Sequence, residues 1–313
     1  MLSIICPTLG GNNLQTWIDY HLNLFTSKTN LEWEIIICCE RPLPELNSDE
    51  KRLRFCVGSD FYDRNMQGFR AAKYDFILRI ADDDFIIKFD PECISNFGED
   101  YAGVVPKTFF SALQNSSARL SDIGIQPATS LRAEMDNDNA DNRIMAYFTP
   151  PLPGDNSPFW GIYRKNVLIE CYESYEFFYK KQYVASDWAL MANILSKGKV
   201  ARSDDWHVIR HMTPMSKTLA EKITDLGVTQ KDFLVLDAMP FLPSLTFIRD
   251  FLMKDPSIIW RQLIEWNLIR YSQLTKSPEA SVSSFDQLTI IRLFQEAKWK
   301  EINNTFTLTI PKL

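Results

Sequence analysis

Short apolar runs alternate with amphipathic stretches along residues 1–90. The runs are rich in β-branched residues and stop at turn or polar residues, which predicts buried strands. These strands are expected at residues 2–6, 34–39, 53–57 and 76–81. Apolar residues at helical spacing predict two helices, at residues 14–27 and 65–73. Because strands and helices alternate and the strands are apolar throughout, we expect a parallel sheet that is covered on both faces.

The pattern loosens between residues 99 and 158, where polar runs and a proline cluster predict long loops over the sheet. It returns with a strand at 159–163, a helix at 187–196 and a short strand at 208–209. Apolar residues at helical spacing then recur towards the end of the sequence. They predict helices at residues 219–226, 242–253, 258–274 and 285–302.

Length and composition fit one large α/β domain with an appendage. The chain has 313 residues, of which 45% are hydrophobic and 24% are charged, as in ordinary globular proteins. The change to helical segments beyond about Met215 then predicts a domain at residues 1–215, followed by a helical region at 216–313.

The charge of the chain is formally −6, from 34 basic and 40 acidic residues. This argues against a general nucleic-acid binder, which needs a basic face to displace phosphate counterions. The sequence has no stretch of about 20 apolar residues that would span a membrane. Its first residues lack the basic start of a signal peptide, and Pro7 interrupts the apolar run.

The six cysteines point to a reducing compartment. None forms a CxxC pair, and the neighbouring Cys38 and Cys39 would face opposite sides of a strand. Most lie in or beside the predicted strands, which indicates buried, reduced thiols and a cytoplasmic location.

The candidate chemistry begins with Asp82, Asp83 and Asp84, which directly follow a predicted strand. Three adjacent carboxylates repel one another unless a cation offsets them. A solvated acidic turn is the alternative, but the position after a buried strand favours a divalent cation. Mg²⁺ or Mn²⁺ suits such a site, because it takes one or two carboxylates together with substrate phosphates. Ligands of parallel sheets also bind at the carboxyl ends of the strands.

Four segments in this order resemble the GT-A glycosyltransferases of family two. They are the opening strand with its Pro7-Thr8 turn, the second strand ending at Glu40, the Arg64-Asn65-x-x-Gly68 helix, and the strand that leads to the three aspartates. The resemblance implies a GT-A fold, with residues 1–98 as the nucleotide-binding half and 99–215 as the acceptor-side half. The C-terminal helices match no part of this family pattern.

The resemblance also implies roles for individual residues. Glu40 takes the place of the acidic residue that holds a uracil base, and Arg64 lies near the nucleotide. The remaining nucleotide-binding positions are Pro7, Thr8, Leu9 and Asp82.

The three aspartates resemble the metal-binding DxD motif in two registers. One makes Asp84 the metal ligand, and the other, which we prefer, makes it Asp83 with Asp84 in support. In several GT-A enzymes, a histidine about two dozen residues after the catalytic base completes the metal site; the residue that resembles this base here is Asp187. His211 has this place, with His207 as the substitute, whereas His21 on the first helix is expected to be a core residue.

Asp187 opens a predicted helix in a segment that resembles the one carrying the family's catalytic base. A helix-capping aspartate is the alternative role. The resemblance implies a single in-line displacement that inverts the anomeric carbon: the metal clamps the donor diphosphate, and Asp187 deprotonates an acceptor hydroxyl.

The expected function is therefore an inverting, metal-dependent glycosyltransferase that uses a nucleotide-sugar donor, UDP-sugar by family default. The acceptor would be a glycan or a lipid-linked saccharide, as in bacterial surface polysaccharide synthesis. Two alternatives are a non-catalytic nucleotide-sugar or glycan-binding module and a sugar-phosphate nucleotidyltransferase. The second lacks support, since the loop after the first strand has neither the arginine nor the lysine that a triphosphate requires. For residues 216–313 three roles stay open besides a packed appendage: covering the acceptor groove, a homodimer contact, or a peripheral contact with the inner membrane face.

Overall fold

The computed structural model describes residues 1–10, 14–28, 30–43, 50–95, 98–112, 124–127, 135–148, 160–180 and 186–212. These residues form one sheet of nine strands with helices on both faces. The strands are β1 (Leu2–Pro7), β2 (Trp33–Cys39), β3 (Leu53–Val57), β4 (Phe76–Arg79), β5 (Phe85–Lys88), β6 (Tyr101–Ala112), β7 (Gly124–Pro127), β8 (Ile162–Arg164) and β9 (Lys199–Met212). The helices are α1 (Leu14–Lys28), α2 (Phe61–Ala71), α3 (Glu92–Ser95), α4 (Ala140–Phe148), α5 (Lys165–Lys180) and α6 (Ser186–Lys197).

The strand order in the sheet is β3-β2-β1-β4-β8-β6-β9-β5, and β7 pairs with β6. Strands β3, β2, β1 and β4 are parallel to one another. Strand β8 is antiparallel to both β4 and β6, so β6 runs in the same direction as β4, and β9 is parallel to β6. The carboxyl ends of β1, β2, β4 and β9 consequently lie at the same end of the sheet.

Two hydrophobic clusters cover the two faces of the sheet. One contains side chains of α2, α4, α5 and α6, and the other contains side chains of α1 and α3. All residues of β1 and β2 are buried, which explains why both strands are apolar almost throughout. The predicted parallel sheet with two covered faces is therefore confirmed for the first four strands.

Residues 99–158 differ from the prediction of long loops. They contain the 12-residue strand β6 and the helix α4. Strand β6 pairs with β9, about 100 residues further along the chain, over almost its whole length. Its register shifts between Val105 and Lys107, where Pro106 has no amide proton to donate. The strand predicted at 208–209 is likewise the end of the 14-residue strand β9.

Among the described residues, none of the helices is long and apolar enough to cross a membrane. The four helices predicted beyond residue 215 lie outside the described residues. All six cysteines are free thiols, as predicted, and all but Cys56 are buried.

Candidate functional site

A hydrogen bond joins the ends of the two central strands at the point where the strand order reverses. From β1 the chain continues to β2 and β3 on one side, and then returns to β4 on the other side of β1. Thr8, which follows β1, donates its hydroxyl hydrogen to the carboxylate of Asp82, which follows β4. Such a reversal opens a crevice at the carboxyl ends of the strands, where α/β proteins bind their ligands.

The loop after β1 is held in a tight turn. The Thr8 amide donates to the Cys38 carbonyl at 2.9 Å, and its hydroxyl oxygen accepts the Gly10 amide at 2.9 Å. Gly10 has a φ of 81°, a left-handed conformation that glycine adopts without a steric penalty. The turn leaves Thr8 buried, whereas the Leu9 side chain next to it is 77% exposed.

Asp82, Asp83 and Asp84 form an acidic turn after β4. Asp84 is its buried member and lies between two tryptophans. The Trp160 indole Nε1 donates to its carboxylate Oδ2 at 2.5 Å, and the Trp17 indole Nε1 donates to its backbone carbonyl at 2.8 Å. Only 3% of Asp84 is exposed. A buried carboxylate needs such donors, because an unpaired charge in the interior is costly. Asp82 and Asp83, in contrast, are half-buried.

Helix α1 also binds the segment that follows the acidic turn. The Tyr20 hydroxyl donates to the Ile86 carbonyl at 2.8 Å. His21 Nδ1 lies 2.8 Å from the Trp17 carbonyl, and His21 Nε2 accepts the Ile86 amide at 3.3 Å. These contacts require a neutral imidazole with its proton on Nδ1. Burial lowers the pKa of His21 to about 4, although the Trp17 carbonyl opposes the shift, and the predicted core role of His21 is confirmed.

A buried arginine lies at the carboxyl end of β4, close to the acidic turn. Arg79 Nε donates to Asn65 Oδ1 of α2 at 2.6 Å, and the guanidinium lies 5.0 Å from the centre of the Phe61 ring. The Asn65 amide in turn donates to the Phe61 carbonyl at 2.6 Å. The Arg79 side chain therefore fixes the start of α2 against β4.

The other predicted nucleotide-binding residues surround the same end of the sheet. Pro7 ends β1, and Glu40 directly follows β2 and is exposed. Arg64 lies in the first turns of α2 and is 6% exposed, and its Nε has no hydrogen-bond partner among the described residues. Burial raises the pKa of the Cys39 thiol at the end of β2, and the positive charge of Arg64 opposes this shift.

The carboxylates of the acidic turn act on Cys6 of β1. Burial raises the pKa of the Cys6 thiol well above its usual value, and the carboxylates of Asp82, Asp83 and Asp84 raise it further. Arg79 opposes this effect. Three carboxylates so close together favour the binding of a cation.

The structure places His211 on a strand. His207 and His211 both belong to β9, where residues four apart are separated by about 13 Å, so they cannot share a metal ion as a helical pair would. Strand β5 pairs antiparallel with β9, with Phe85 opposite Ile209. This pairing begins at Phe85, and Asp83 lies in the preceding turn, while His211 pairs with Ser111 of β6 on the other side of β9. The His211 side chain lies outside the described residues.

Asp187 is the second residue of α6, so the helix that the sequence predicted to begin at Asp187 begins one residue earlier. Its side chain lies outside the described residues, but the helix that carries it is anchored in the core. Leu190, Met191 and Ile194 of α6 belong to the cluster that also contains α2 and α5.

The acidic turn suits a metal ion that is held partly by the protein and partly by phosphate oxygens of a bound molecule. Asp82 and Asp84 each have a hydrogen bond on one carboxylate oxygen, and three carboxylates offer the hard oxygen donors that Mg²⁺ and Mn²⁺ prefer. Within the part of the chain that the structure describes, no three acidic, histidine or cysteine side chains surround a common point. These residues fit a cation bound by one or two carboxylates plus phosphate oxygens, and they do not form a complete cage.

Trp17 and Trp160 were not predicted as site residues. Both occur in segments that the sequence identifies as apolar helix and strand, and their role at Asp84 depends on contacts between distant parts of the chain. The sequence contained one indication of this role. A buried indole N–H needs a hydrogen-bond acceptor, and the three adjacent aspartates offer several acceptors at the end of a buried strand.

Comparison with known proteins supports the fold. No protein-family model matches the sequence, and no curated protein matches it. A crystal structure of S. aureus TarS 1–349 is 13% identical, with 99% of this chain and 81% of that chain covered and a TM-score of 0.52. A longer TarS structure is 14% identical, with 99% of this chain and 49% of the TarS chain covered and a TM-score of 0.53. This chain therefore spans about half the length of that TarS chain.

The same TarS fragment in complex with UDP-GlcNAc is 13% identical, with 99% and 81% covered and a TM-score of 0.48. At these identities the likeness is one of fold. The chain has the mixed α/β architecture of the GT-A fold that the sequence predicted.

Proposed function

We propose that this protein is an inverting, metal-dependent glycosyltransferase. It would move a sugar from a nucleotide-diphosphate donor, most simply a UDP-sugar, to a hydroxyl of a glycan or lipid-linked acceptor, as in bacterial surface polysaccharide synthesis. The observation that carries the proposal is the hydrogen bond between Thr8 and Asp82, at the reversal of strand order in a GT-A fold. It unites the first loop and the acidic turn, two of the segments that the family resemblance assigns to the nucleotide.

The donor nucleotide would lie across the carboxyl ends of β1, β2 and β4. Exposed Glu40 is available to accept a hydrogen bond from the N3–H group of a uracil base. The buried guanidinium of Arg64 has an Nε without a partner among the described residues, and a phosphate oxygen would satisfy it. Thr8, Asp82 and the exposed Leu9 would border the nucleoside on the opposite side.

Asp83 is our choice for the principal metal ligand. It is the ligand in the register of the DxD motif that we prefer, and it is half-buried next to Asp84, which Trp160 holds. His211, two residues beyond the Ile209 that pairs with Phe85, is the second ligand in this proposal. A bound Mn²⁺ or Mg²⁺ would stabilise the negative charge that develops on the leaving diphosphate.

Asp187 is the proposed catalytic base. As a carboxylate it would remove the proton of an acceptor hydroxyl, which then attacks the anomeric carbon from the side opposite the leaving nucleotide. A single displacement of this kind inverts the configuration of that carbon. The start of α6 suits an aspartate, because the helix dipole stabilises its charged form.

The experiment is a thermal-shift screen with UDP, UDP-GlcNAc, GDP, CMP and TDP, each with Mn²⁺, Mg²⁺ or EDTA. A ligand at about 100 times its dissociation constant adds about 2.7 kcal/mol to the free energy of unfolding. We expect a shift with one nucleotide class that EDTA abolishes and Asp83→Asn strongly reduces. A flat response of the folded protein to every nucleotide would overturn the metal-nucleotide proposal.

Asp187→Asn separates binding from catalysis. We expect the variant to keep the nucleotide-dependent thermal shift and to lose sugar transfer by two or more orders of magnitude, because the neutral amide cannot accept the proton. Asp19→Asn, a surface change on α1, is the matched control and should leave both unchanged. If Asp187→Asn instead abolishes the thermal shift, its role is structural; if the wild type binds donor but transfers no sugar to any acceptor, the protein is a binding module.

A further inference from the structure

Two cysteines lie directly opposite each other on neighbouring strands, next to the candidate site but outside its proposed chemistry. Cys38 of β2 and Cys56 of β3 are register partners, and their Sγ atoms are 2.9 Å apart. Adjacent strands lie about 4.8 Å apart, within the range of Cα separations that a disulfide bridges. The pair can therefore be joined without separating the strands.

The two thiols differ in exposure and in the direction of their pKa shifts. Cys38 is fully buried against α2, whereas Cys56 is half-buried on the strand at the edge of the sheet. The contact between the two sulfurs lowers the pKa of Cys56, with help from Arg54, although burial and Asp63 oppose the shift. The same contact raises the pKa of Cys38. Cys56 is thus the more reactive and more accessible member of the pair.

We propose that Cys38 and Cys56 form a dithiol that a hydroperoxide oxidises to an intramolecular disulfide between β2 and β3. This site does not depend on the proposed transferase function.

The reaction proceeds in two balanced steps. The Cys56 thiolate attacks one oxygen of hydrogen peroxide, the O–O bond breaks, and the released hydroxide takes up a proton to leave as water. The product is a sulfenic acid on Cys56. The Cys38 sulfur then attacks the Cys56 sulfur, the S–O bond breaks, and a second water leaves with the Cys38 proton. The two sulfurs together lose two electrons, which the peroxide gains.

The other cysteines provide internal comparisons. Cys39 follows Cys38 but lies 3.4 Å from the Cys56 carbonyl rather than beside its sulfur. Burial raises the pKa of both Cys93 and Cys171 to about 12, so these two thiols should react slowly.

The test is a thiol count on the reduced, full-length protein before and after hydrogen peroxide, in denaturant. We expect two of the six thiols to disappear and dithiothreitol to restore both. Without reduction, tryptic peptide 29–51 should be linked to peptide 55–64, each from the same molecule. Because peptide 29–51 contains both Cys38 and Cys39, substitutions of single cysteines are needed to show which of the two sulfurs is joined to Cys56.

Cys39→Ser is the matched control and should still lose two thiols and form the linked peptides. Cys56→Ser should lose none, and Cys38→Ala should lose at most the Cys56 thiol, as a sulfenic acid, and form no linked peptides. Cys56→Ser changes a half-buried residue and keeps the test valid if Cys38→Ala does not fold. The proposal is overturned if all six thiols persist at a peroxide concentration that oxidises the denatured chain. It is also overturned if Cys56→Ser still loses two thiols, or if the link joins two molecules on a non-reducing gel.

Discussion

At the scale of single residues, the acidic turn contains side chains with different environments. Asp84 is buried and accepts a hydrogen bond from Trp160, whereas its neighbour Asp83 is half-buried. The interior carboxylate is fixed by its indole donor. We propose a division of roles between these neighbours, in which Asp84 is structural and the half-buried Asp83 binds the ligand.

Replacing Trp160 tests this division. We expect Trp160→Phe to reduce the free energy of unfolding by about 1–3 kcal/mol beyond the effect of lost packing, because it removes a donor from a buried carboxylate. Urea denaturation measures the loss. Trp206→Phe is the matched control, since the Trp206 indole is equally buried but its N–H has no partner among the described residues.

Equal losses in the two variants would contradict the importance of the Trp160 contact. Combining Trp160→Phe with Asp84→Asn should cost less than the sum of the single changes, because the contact can be lost only once.

Sequence reasoning found the residues whose chemistry is local and missed those whose role is tertiary. Thr8 and Asp82 were both predicted, and the structure joins them. Trp17 and Trp160 were assigned to an apolar helix and a strand, because nothing in the pattern of a single segment indicates which distant carbonyl or carboxylate an indole reaches.

At the scale of elements, α1 is more than a cover for one face of the sheet. Its Trp17, Tyr20 and His21 side chains bond to the backbone of residues 84–86, which include the first residues of β5. Strand β5 therefore has hydrogen bonds to side chains of α1 in addition to its pairing with β9. His21 must remain neutral to accept the Ile86 amide.

The stability of this contact should depend on pH. Burial lowers the pKa of His21 to about 4 in the folded protein, against about 6.5 in the unfolded chain. The unfolded state therefore binds more protons between these values, and the free energy of unfolding falls as the pH drops below 6.5, levelling off below 4. The expected loss from this residue alone is about 3 kcal/mol.

Urea denaturation of wild type and His21→Gln between pH 4 and pH 7 isolates this effect. The stability difference between them should shrink by about that amount on acidification, because glutamine does not titrate. His207→Gln is the control and should keep most of the wild-type dependence, since His207 is only partly buried. A parallel pH profile for wild type and His21→Gln would show that His21 titrates normally in the folded state.

Element prediction succeeded where strands are short, buried and followed by helices, as in β1 to β4. It failed at β6, because a strand that contains Gly103 and Pro106 lacks a clear alternation and is stabilised by its long pairing with β9. It also missed α5, whose apolar face is complete only against α2 and α6.

At the scale of the whole molecule, one sheet connects the two predicted halves of the first domain. Strand β8 pairs with β4, and β5 pairs with β9, so each half supplies strands to the other. The two hydrophobic clusters likewise contain residues from both halves.

This continuity predicts a single cooperative unit. Amides in the centre of the sheet, such as Ile77 of β4 and Ile162 of β8, should exchange with solvent through the same global opening and with the same free energy. Hydrogen exchange followed by NMR measures both. Amides of the edge strand β3 are the comparison and should exchange more readily. A markedly lower free energy at Ile162 than at Ile77 would show that the halves open separately.

The contacts of the acidic turn also affect how quickly a ligand binds. Thr8, Trp17 and Trp160 hold this turn before any ligand arrives, so its conformational entropy is lost during folding and not during binding. The observed association rate should then rise linearly with ligand concentration, without the plateau that a slow rearrangement of the site would impose.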